Sequence, residues 1–291
     1  MIDLHTHTTC SDGTFSPEQL IRLAVENSLS AVAITDHDTV DAIKIAQESA
    51  NSENLKLIPG VELSLDADLP PNGHLHMLGL FIDHENKQLV ERLDYLRSKR
   101  IDRVYGILEK LNELDFPLST DDLHLDDTQI SIGRPHIARI MANYGYVTSI
   151  REAFDLYLAD GKPAFVEKEK SSVKDAIDII HNSGGLAIMA HPISLAYTDL
   201  DDYGKYITNL IHAGMDGIEV YSTFHPPEFI TYLEKLVKDL SICVSGGSDF
   251  HGANKPEIAL GRGVGNLEIG DGILAGLEQA LGTRQKAKGK R

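Results

Sequence analysis

Seven short apolar runs in this chain end on, or carry, a histidine or a carboxylate, and that repetition limits the fold more than any other feature. Ile2 and Leu4 lead into His5-Thr6-His7, with Ser11-Asp12-Gly13 a few residues on. Residues 31–34 lead into Thr35-Asp36-His37-Asp38, and residues 55–59 close on Gly60-Val61-Glu62. His74 and His76 precede the run 77–82, and residues 186–189 end on Ala190-His191-Pro192. Glu219 sits inside 217–220, and residues 242–245 run into Ser248-Asp249-Phe250-His251. Apolar runs of this length bounded by polar clusters read as buried strands. A strand's period of two sends His5 and His7 to one side. One imidazole pair could be two solvated side chains, but seven such placements describe a site with metal-ligand chemistry.

Between these runs lie helix signals. Ser16-Pro17-Glu18-Gln19 offers a serine cap, a proline at the first helical position and a glutamine three residues after the cap, so a helix is expected as far as Asn27. Further helices are expected over 40–50, over 172–182 with a stop at Gly184-Gly185, over 200–212 with a stop at Gly214, and over 227–238. Strand and helix alternation implies an α/β fold with a parallel sheet, and active residues at strand ends suit a closed or nearly closed α/β barrel. An open doubly wound sheet is the alternative, but it lacks its glycine-rich phosphate loop here. Residues 85–162 break the rhythm. One long amphipathic helix over 89–114 and short helical patterns over 118–160 read as a helical insertion, which at the catalytic face of a barrel commonly becomes a lid. The expected organisation is thus a discontinuous barrel of 1–84 and 163–283, an insertion of 85–162 and a frayed basic tail of 284–291.

A formal net charge of −17 argues against long nucleic acid as a partner, since that needs a basic face. No apolar run is long enough to span a bilayer, and the N-terminus has no basic region ahead of an apolar one, so a cytoplasmic protein without a membrane partner is expected. Two cysteines, Cys10 and Cys243, make no disulfide framework.

Taken in order, His5-Thr6-His7, Ser11-Asp12-Gly13, Thr35-Asp36-His37-Asp38, Gly60-Val61-Glu62, His76, Ala190-His191-Pro192 and Ser248-Asp249-Phe250-His251 resemble the motif series of the PHP (polymerase and histidinol phosphatase) family. The resemblance spans nearly the whole chain and is strongest to the bacterial nucleotide 3′,5′-bisphosphate phosphatases and the related 5′-to-3′ exoribonucleases acting on short RNA. It implies a distorted (β/α)7 TIM-like barrel and two to three divalent metals, of Mn, Zn or Fe type given the mixed nitrogen and oxygen donors. His5, His7, Glu62 and Asp249 would hold the first metal. Glu62 would bridge to a second that takes His76 and His191, and Asp12, His37 and His251 would hold a third. Asp36 and Asp38 would orient His37 and the loop backbone. The implied activity is hydrolysis of phosphate monoesters of nucleotides or similar small metabolites by metal-activated hydroxide, with Asp249, His251 and His225 in the catalytic machinery. Alternatives from the same motifs are 5′-to-3′ exonuclease action on short oligonucleotides, histidinol phosphate hydrolysis and a metal-binding module without catalysis.

For substrate contact, the resemblance points to Arg134 and His136 in Gly133-Arg134-Pro135-His136, and to Ser222 and His225. His74, His84, His124, His181 and His212 match no motif and are expected on the surface or in packing. One departure stands out. Relatives carry Gly-Arg-Tyr after the His-Pro pair, whereas this chain has Ile193-Ser194-Leu195, so an arginine that could grip a second phosphate is missing.

Overall fold

The computed structural model describes residues 1–123 and 133–288, with side chains of the last helix described as far as 286. Its strands are β1 (Ile2–Asp3), β2 (Ala31–Ile34), β3 (Lys56–Asp66), β4 (Leu75–Leu80), β5 (Ser171–Ser172), β6 (Leu186–Met189), β7 (Gly217–Ser222) and β8 (Cys243–Gly247). The order in the sheet is β1-β2-β3-β4-β6-β7-β8, with the short β5 paired to β3. The two edges meet. Leu4 N–H donates to the Gly246 carbonyl at 3.1 Å and Asp249 N–H to that of His5 at 2.9 Å, so the sheet forms a nearly closed barrel.

The helices are α1 (Pro17–Glu26), α2 (Asp41–Glu53), α3 (Lys87–Glu113), α4 (Arg134–Asn143), α5 (Ile150–Ala153), α6 (Val173–Asn182), α7 (Leu200–His212), α8 (Pro227–Leu240) and α9 (Asp271–Lys288); α1, α2, α3, α6, α7 and α8 fall where they are expected, whereas α9 is not among the expected helices. Ser16 and Gln19 form the expected reciprocal cap of α1, an arrangement whose serine alone contributes about 1 kcal/mol. Alternation along the strands sorts the core into two faces. Ala31 and Ala33 join Ile2, Leu4, Ile58, Leu78 and Ile188 in one buried cluster, to which α9 adds Leu274 and Leu277. Val32 and Ile34 face Leu20, Ile21 and Ala24 of α1 and Ala42 and Ala46 of α2 in another.

Three expectations change. The sheet is not wholly parallel: β4 runs antiparallel to both β3 and β6. Its first residues therefore lie at the same end as the last residues of the parallel strands, which brings His76 to the ligand end from the start of its strand. Glu62 does not close β3, which continues to Asp66 and pairs along its length with β4. The basic run after 283 is not frayed as far as Lys288, because α9 continues through it and Arg284 pairs with Asp216 at 2.8 Å. Residues 289–291 lie outside the described residues.

Chain contacts divide the molecule into one unit of Met1–Glu91 with Lys170–Arg291 and another of Arg92–Glu169. The second has its own core, in which Val104, Ile107, Leu108 and Leu111 of α3 meet Ile137 and Met141 of α4, Leu158 and Ala164. No helix among the described residues is long and apolar enough to cross a membrane.

Candidate metal centre

The rim of the barrel collects the motif residues: His5 and His7 follow β1, His37 follows β2, His191 follows β6, Asp249 and His251 follow β8, Glu62 lies within β3 and His76 at the start of β4. His5 and His7 follow β1 with fully buried rings, while Thr6 between them turns away to donate to the Ala33 carbonyl at 2.6 Å. The backbone must come very close here. A Cβ on Gly247 would collide with the Cβ and backbone nitrogen of His5, and one on Gly13 would collide with the His7 carbonyl, so both positions need glycine.

At the middle stands Glu62, fully buried. Its Oε1 lies 3.0 Å from His76 Nδ1 and 3.0 Å from His191 Nε2. Its Oε2 lies 3.1 Å from His37 Nδ1, 3.3 Å from His7 Nε2 and 3.4 Å from His5 Nε2. Five imidazoles from the ends of four strands thus crowd one carboxylate. Asp249 Oδ1 lies 3.3 Å from His7 Nε2 and 3.4 Å from His5 Nε2. Asp12 lies 3.2 Å from His251 Nε2 and 3.8 Å from His37 Nε2. Burial disfavours charge on all three carboxyls, but the surrounding imidazoles outweigh it and hold Glu62, Asp249 and Asp12 well below the usual carboxylate range. They are in the ionised form that a metal takes. Burial likewise opposes protonation of His7, yet the Asp249 and Glu62 carboxylates beside it lift it to about 9; at His37 burial prevails and lowers it to about 3.

The donor set fits divalent metal ions. His5 Nε2, His7 Nε2 and Glu62 Oε2 are buried without a hydrogen bond while facing one another. Lone pairs aimed at lone pairs in a dry site are costly unless a cation lies between them. Donor atoms fall into four overlapping groups: His5, His7 and Asp249; His5, Glu62 and His191; His37, Glu62 and His76; and His7, Asp12, His37 and His251. All nine residues expected as ligands are brought together. The grouping differs from the expected one in that His5, His7 and His37 each belong to two groups.

Three buried carboxylates brace the ligands. Glu219 accepts from His5 Nδ1 at 3.1 Å and from the His191 backbone N–H at 2.6 Å, holding two ligand residues at once. Asp3 accepts from Ser248 N–H at 2.9 Å, Ser248 Oγ at 2.6 Å and Gly261 N–H at 2.8 Å, which fixes the turn before Asp249. Asp36 binds Thr8 through its backbone N–H at 2.8 Å and its hydroxyl at 2.6 Å, and also Ser11, so it ties down the loop carrying Asp12. Asp249 (φ 58°) and His191 (φ 25°) occupy left-handed backbone, strain of a kind that gathers at functional sites. Asp3 was missed by sequence reading, although a charged residue between Ile2 and Leu4 of a buried strand was a visible signal. Because a partner that orients a ligand is commonly worth 10- to 100-fold in metal affinity or activity, Glu219→Ala should weaken metal binding by about that factor. Competition against a chromogenic chelator measures it, and unchanged affinity would leave Glu219 a packing residue only.

The donors open on a cavity of about 390 Å³ lined also by His74, Ile193, Ser194, Ser222, Phe224 and Lys255. His74, expected in a surface or packing position, is exposed and also forms part of this wall; partial desolvation, with His76 and His191 beside it, lowers it to about 4. The strand period linking 74 to 76 could have revealed it. Ser222 lies in the lining as expected for a contact residue. His225 lies under the surface, 3% exposed, with Nδ1 donating to the Val220 carbonyl at 2.8 Å. Lys255, unremarked in the sequence, pairs with Asp249. Arg134 donates to the Leu158 carbonyl at 3.1 Å and Asp160 at 2.9 Å, with its guanidinium 5.7 Å from the Phe154 ring centre and 5.6 Å from that of Phe165. His136 Nδ1 accepts from Gly133 N–H at the start of α4. His181 packs against Asp216 at 2.7 Å, and His124 lies outside the described residues.

Known proteins share both the sequence and the barrel. The 5′-3′ exoribonuclease Rnm of Escherichia coli is 36% identical over 89% of this chain and 88% of its own length. The 3′,5′-nucleoside bisphosphate phosphatase of Chromobacterium violaceum is 30% identical over 92% of this chain and 91% of its own. A Bifidobacterium adolescentis structure, solved as a candidate metal-dependent phosphoesterase, superposes with a TM-score of 0.82 at 28% identity over 96% of both chains. A Chromobacterium violaceum amidohydrolase structure with bound sulfate and no metal superposes with a TM-score of 0.80 at 29% identity, over 97% of this chain and 96% of its own. The PHP domain model matches residues 3–253, which include every one of the nine donors, and the chain belongs to that family as a metal-dependent phosphoesterase.

Proposed function

We propose that this chain hydrolyses phosphate monoesters of nucleotides or similarly small phosphorylated metabolites, using two to three ions of the Mn, Zn or Fe class held by His5, His7, Asp12, His37, Glu62, His76, His191, Asp249 and His251. One observation carries the reading: nine convergent donors, with the buried Glu62 at their middle, open on a cavity of small-molecule size. Metals bound there supply Lewis acidity toward phosphoryl oxygens and lower the pKa of a water toward neutrality. The protein's own part is to hold the donors rigid, through Glu219, Asp3 and Asp36, and to present Lys255 near the phosphate. Small substrates are further supported by the net charge of −17, which repels a long polyanion. The names of the 36% and 30% identical relatives, an exoribonuclease and a bisphosphate phosphatase, favour a nucleotide and keep trimming of short RNA from its 5′ end as the second reading.

The test is a phosphate-release screen on the metal-loaded protein, with adenosine 3′,5′-bisphosphate, 5′-monophosphates, histidinol phosphate and a 5′-phosphorylated pentanucleotide side by side. Inorganic phosphate from the mononucleotides supports the proposal. Mononucleotide products from the pentamer alone replace it with the exonuclease reading, and release from histidinol phosphate alone removes the nucleotide.

Arg134 and His136 enter as substrate contacts through the Gly133-Arg134-Pro135-His136 motif. A phosphate contact by Arg134 predicts that Arg134→Ala raises KM by about 10- to 150-fold at unchanged metal content. If KM stays put and thermal stability falls, Arg134 is only the internal tie to Leu158 and Asp160.

A further inference from the structure

The turn after β7 presents one large apolar side chain to the cavity and buries everything around it. Ser222, Thr223 and His225 are 3%, 2% and 3% exposed, whereas Phe224 between them is 56% exposed and lines the cavity. The turn is firmly held. His225 N–H donates to the Ser222 carbonyl at 3.1 Å, His225 Nδ1 to the Val220 carbonyl, Thr223 Oγ1 to the Ser248 carbonyl at 2.5 Å, and Asn266 Nδ2 to the Thr223 carbonyl at 2.9 Å. On the neighbouring strand end, Ile193 lines the same cavity at 41% exposure, in the position after His191-Pro192. Two exposed apolar side chains beside a wall of imidazoles and carboxylates are out of keeping with a site that meets only water and phosphate.

We propose that Phe224, flanked by Ile193, is the platform on which the enzyme stacks the heteroaromatic base of its substrate while the phosphate sits at the metal centre. The inference rests on the phosphoesterase reading and adds to it the chemical class of the group carrying the phosphate. A flat ring suits this wall because it gains contact area on an aromatic face without needing a hydrogen bond, and a side chain fixed by its turn loses little freedom on binding. No Asn, Gln or Arg lines the cavity among the described residues, so the platform senses that a base is present rather than which base it is. His225 then acts as a positioning residue, anchoring the turn that presents Phe224.

The experiment compares metal-loaded wild type, Phe224→Ala and Phe224→Trp on adenosine 3′,5′-bisphosphate and on ribose 5-phosphate, which has a phosphate and a sugar but no base. Stacking on an aromatic side chain predicts that the ratio of kcat/KM for the nucleotide to that for the sugar phosphate falls by about 5- to 150-fold in Phe224→Ala, chiefly through KM, and is kept in Phe224→Trp. An unchanged ratio in Phe224→Ala, or an equal fall in both variants, overturns the platform. A wild type that hydrolyses the sugar phosphate as efficiently as the nucleotide overturns the platform and leaves the phosphoesterase reading intact. A metal-loaded wild type that hydrolyses neither ester removes both.

Discussion

Dialysis against a chelator should abolish phosphate release, returning manganese should restore it, and elemental analysis of freshly purified protein should find more than one transition metal per chain. Nine of the side chains at the barrel rim are assigned to metal, and once they are discounted the described cavity wall offers serine hydroxyls, His74 and Lys255 as its remaining polar side chains. Ser194 Oγ is held between the His74 carbonyl at 3.0 Å and Nδ1 of His191 at 3.1 Å, an imidazole whose other nitrogen faces Glu62, and Lys255 is paired with Asp249. The loss should therefore be large, about a thousandfold or more, corresponding to the several kcal/mol that metal ions contribute to stabilising charge in such reactions. Stability should fall in parallel, since ions that bind the folded chain and not the unfolded one add about 2.7 kcal/mol at a hundredfold excess over Kd. The thermal midpoint gives a readout independent of turnover. Protein that is metal-free as purified and keeps its rate in EDTA would sink the assignment.

How far the sequence led depended on whether the physics was local. Strands and helices were legible because their periods differ, and α1 was legible to its cap because Ser16 and Gln19 satisfy each other's backbone within four residues. The direction of β4 was readable and was missed. Only residues 67–74 separate it from β3, too few for the crossover that a parallel neighbour needs, and Pro70-Pro71-Asn72-Gly73 is a turn signal. The nine donors were legible because they stand beside apolar strands, where a polar residue must have a reason. The orientation of loop residues was not. The residue types alone do not say which of Phe224 and His225 is buried; the imidazole is held by the nearby Val220 carbonyl, and the turn is fixed through Thr223 by Ser248 and Asn266, distant in sequence. Glu219 was visible as a carboxylate inside a strand, but its bond to His5 spans 214 residues and becomes visible only once the barrel closes.

Glu62→Gln should cost about a thousandfold in kcat, while Asp38→Asn should stay within about tenfold. Among the described residues Glu62 is the one carboxylate within 3.4 Å of five imidazole nitrogens, and it belongs to two of the donor groups, so its charge would serve more than one ion. Glutamine has the same shape but no charge, and it places an NH₂ where one oxygen faced a cluster of nitrogen donors. The weakened affinity of two ions together with lost Lewis acidity amounts to several kcal/mol, of which each 1.36 kcal/mol is tenfold in rate. Asp38 stands one step farther out. It is 5% exposed in left-handed backbone at φ 53°, its N–H donates to the Glu62 carbonyl at 3.0 Å, and its carboxyl belongs to none of the donor groups. Asparagine tolerates that backbone conformation and keeps the N–H, so the strand contact survives the substitution. The comparison is made at saturating manganese and again at limiting manganese, because a lost ligand shows a rate that rises with added metal and a lost orienting group shows little such rescue. Equal losses in kcat for the two variants, or metal rescue of Asp38→Asn alone, would place Asp38 against the ions and Glu62 behind them, reversing the order in which these side chains surround the centre.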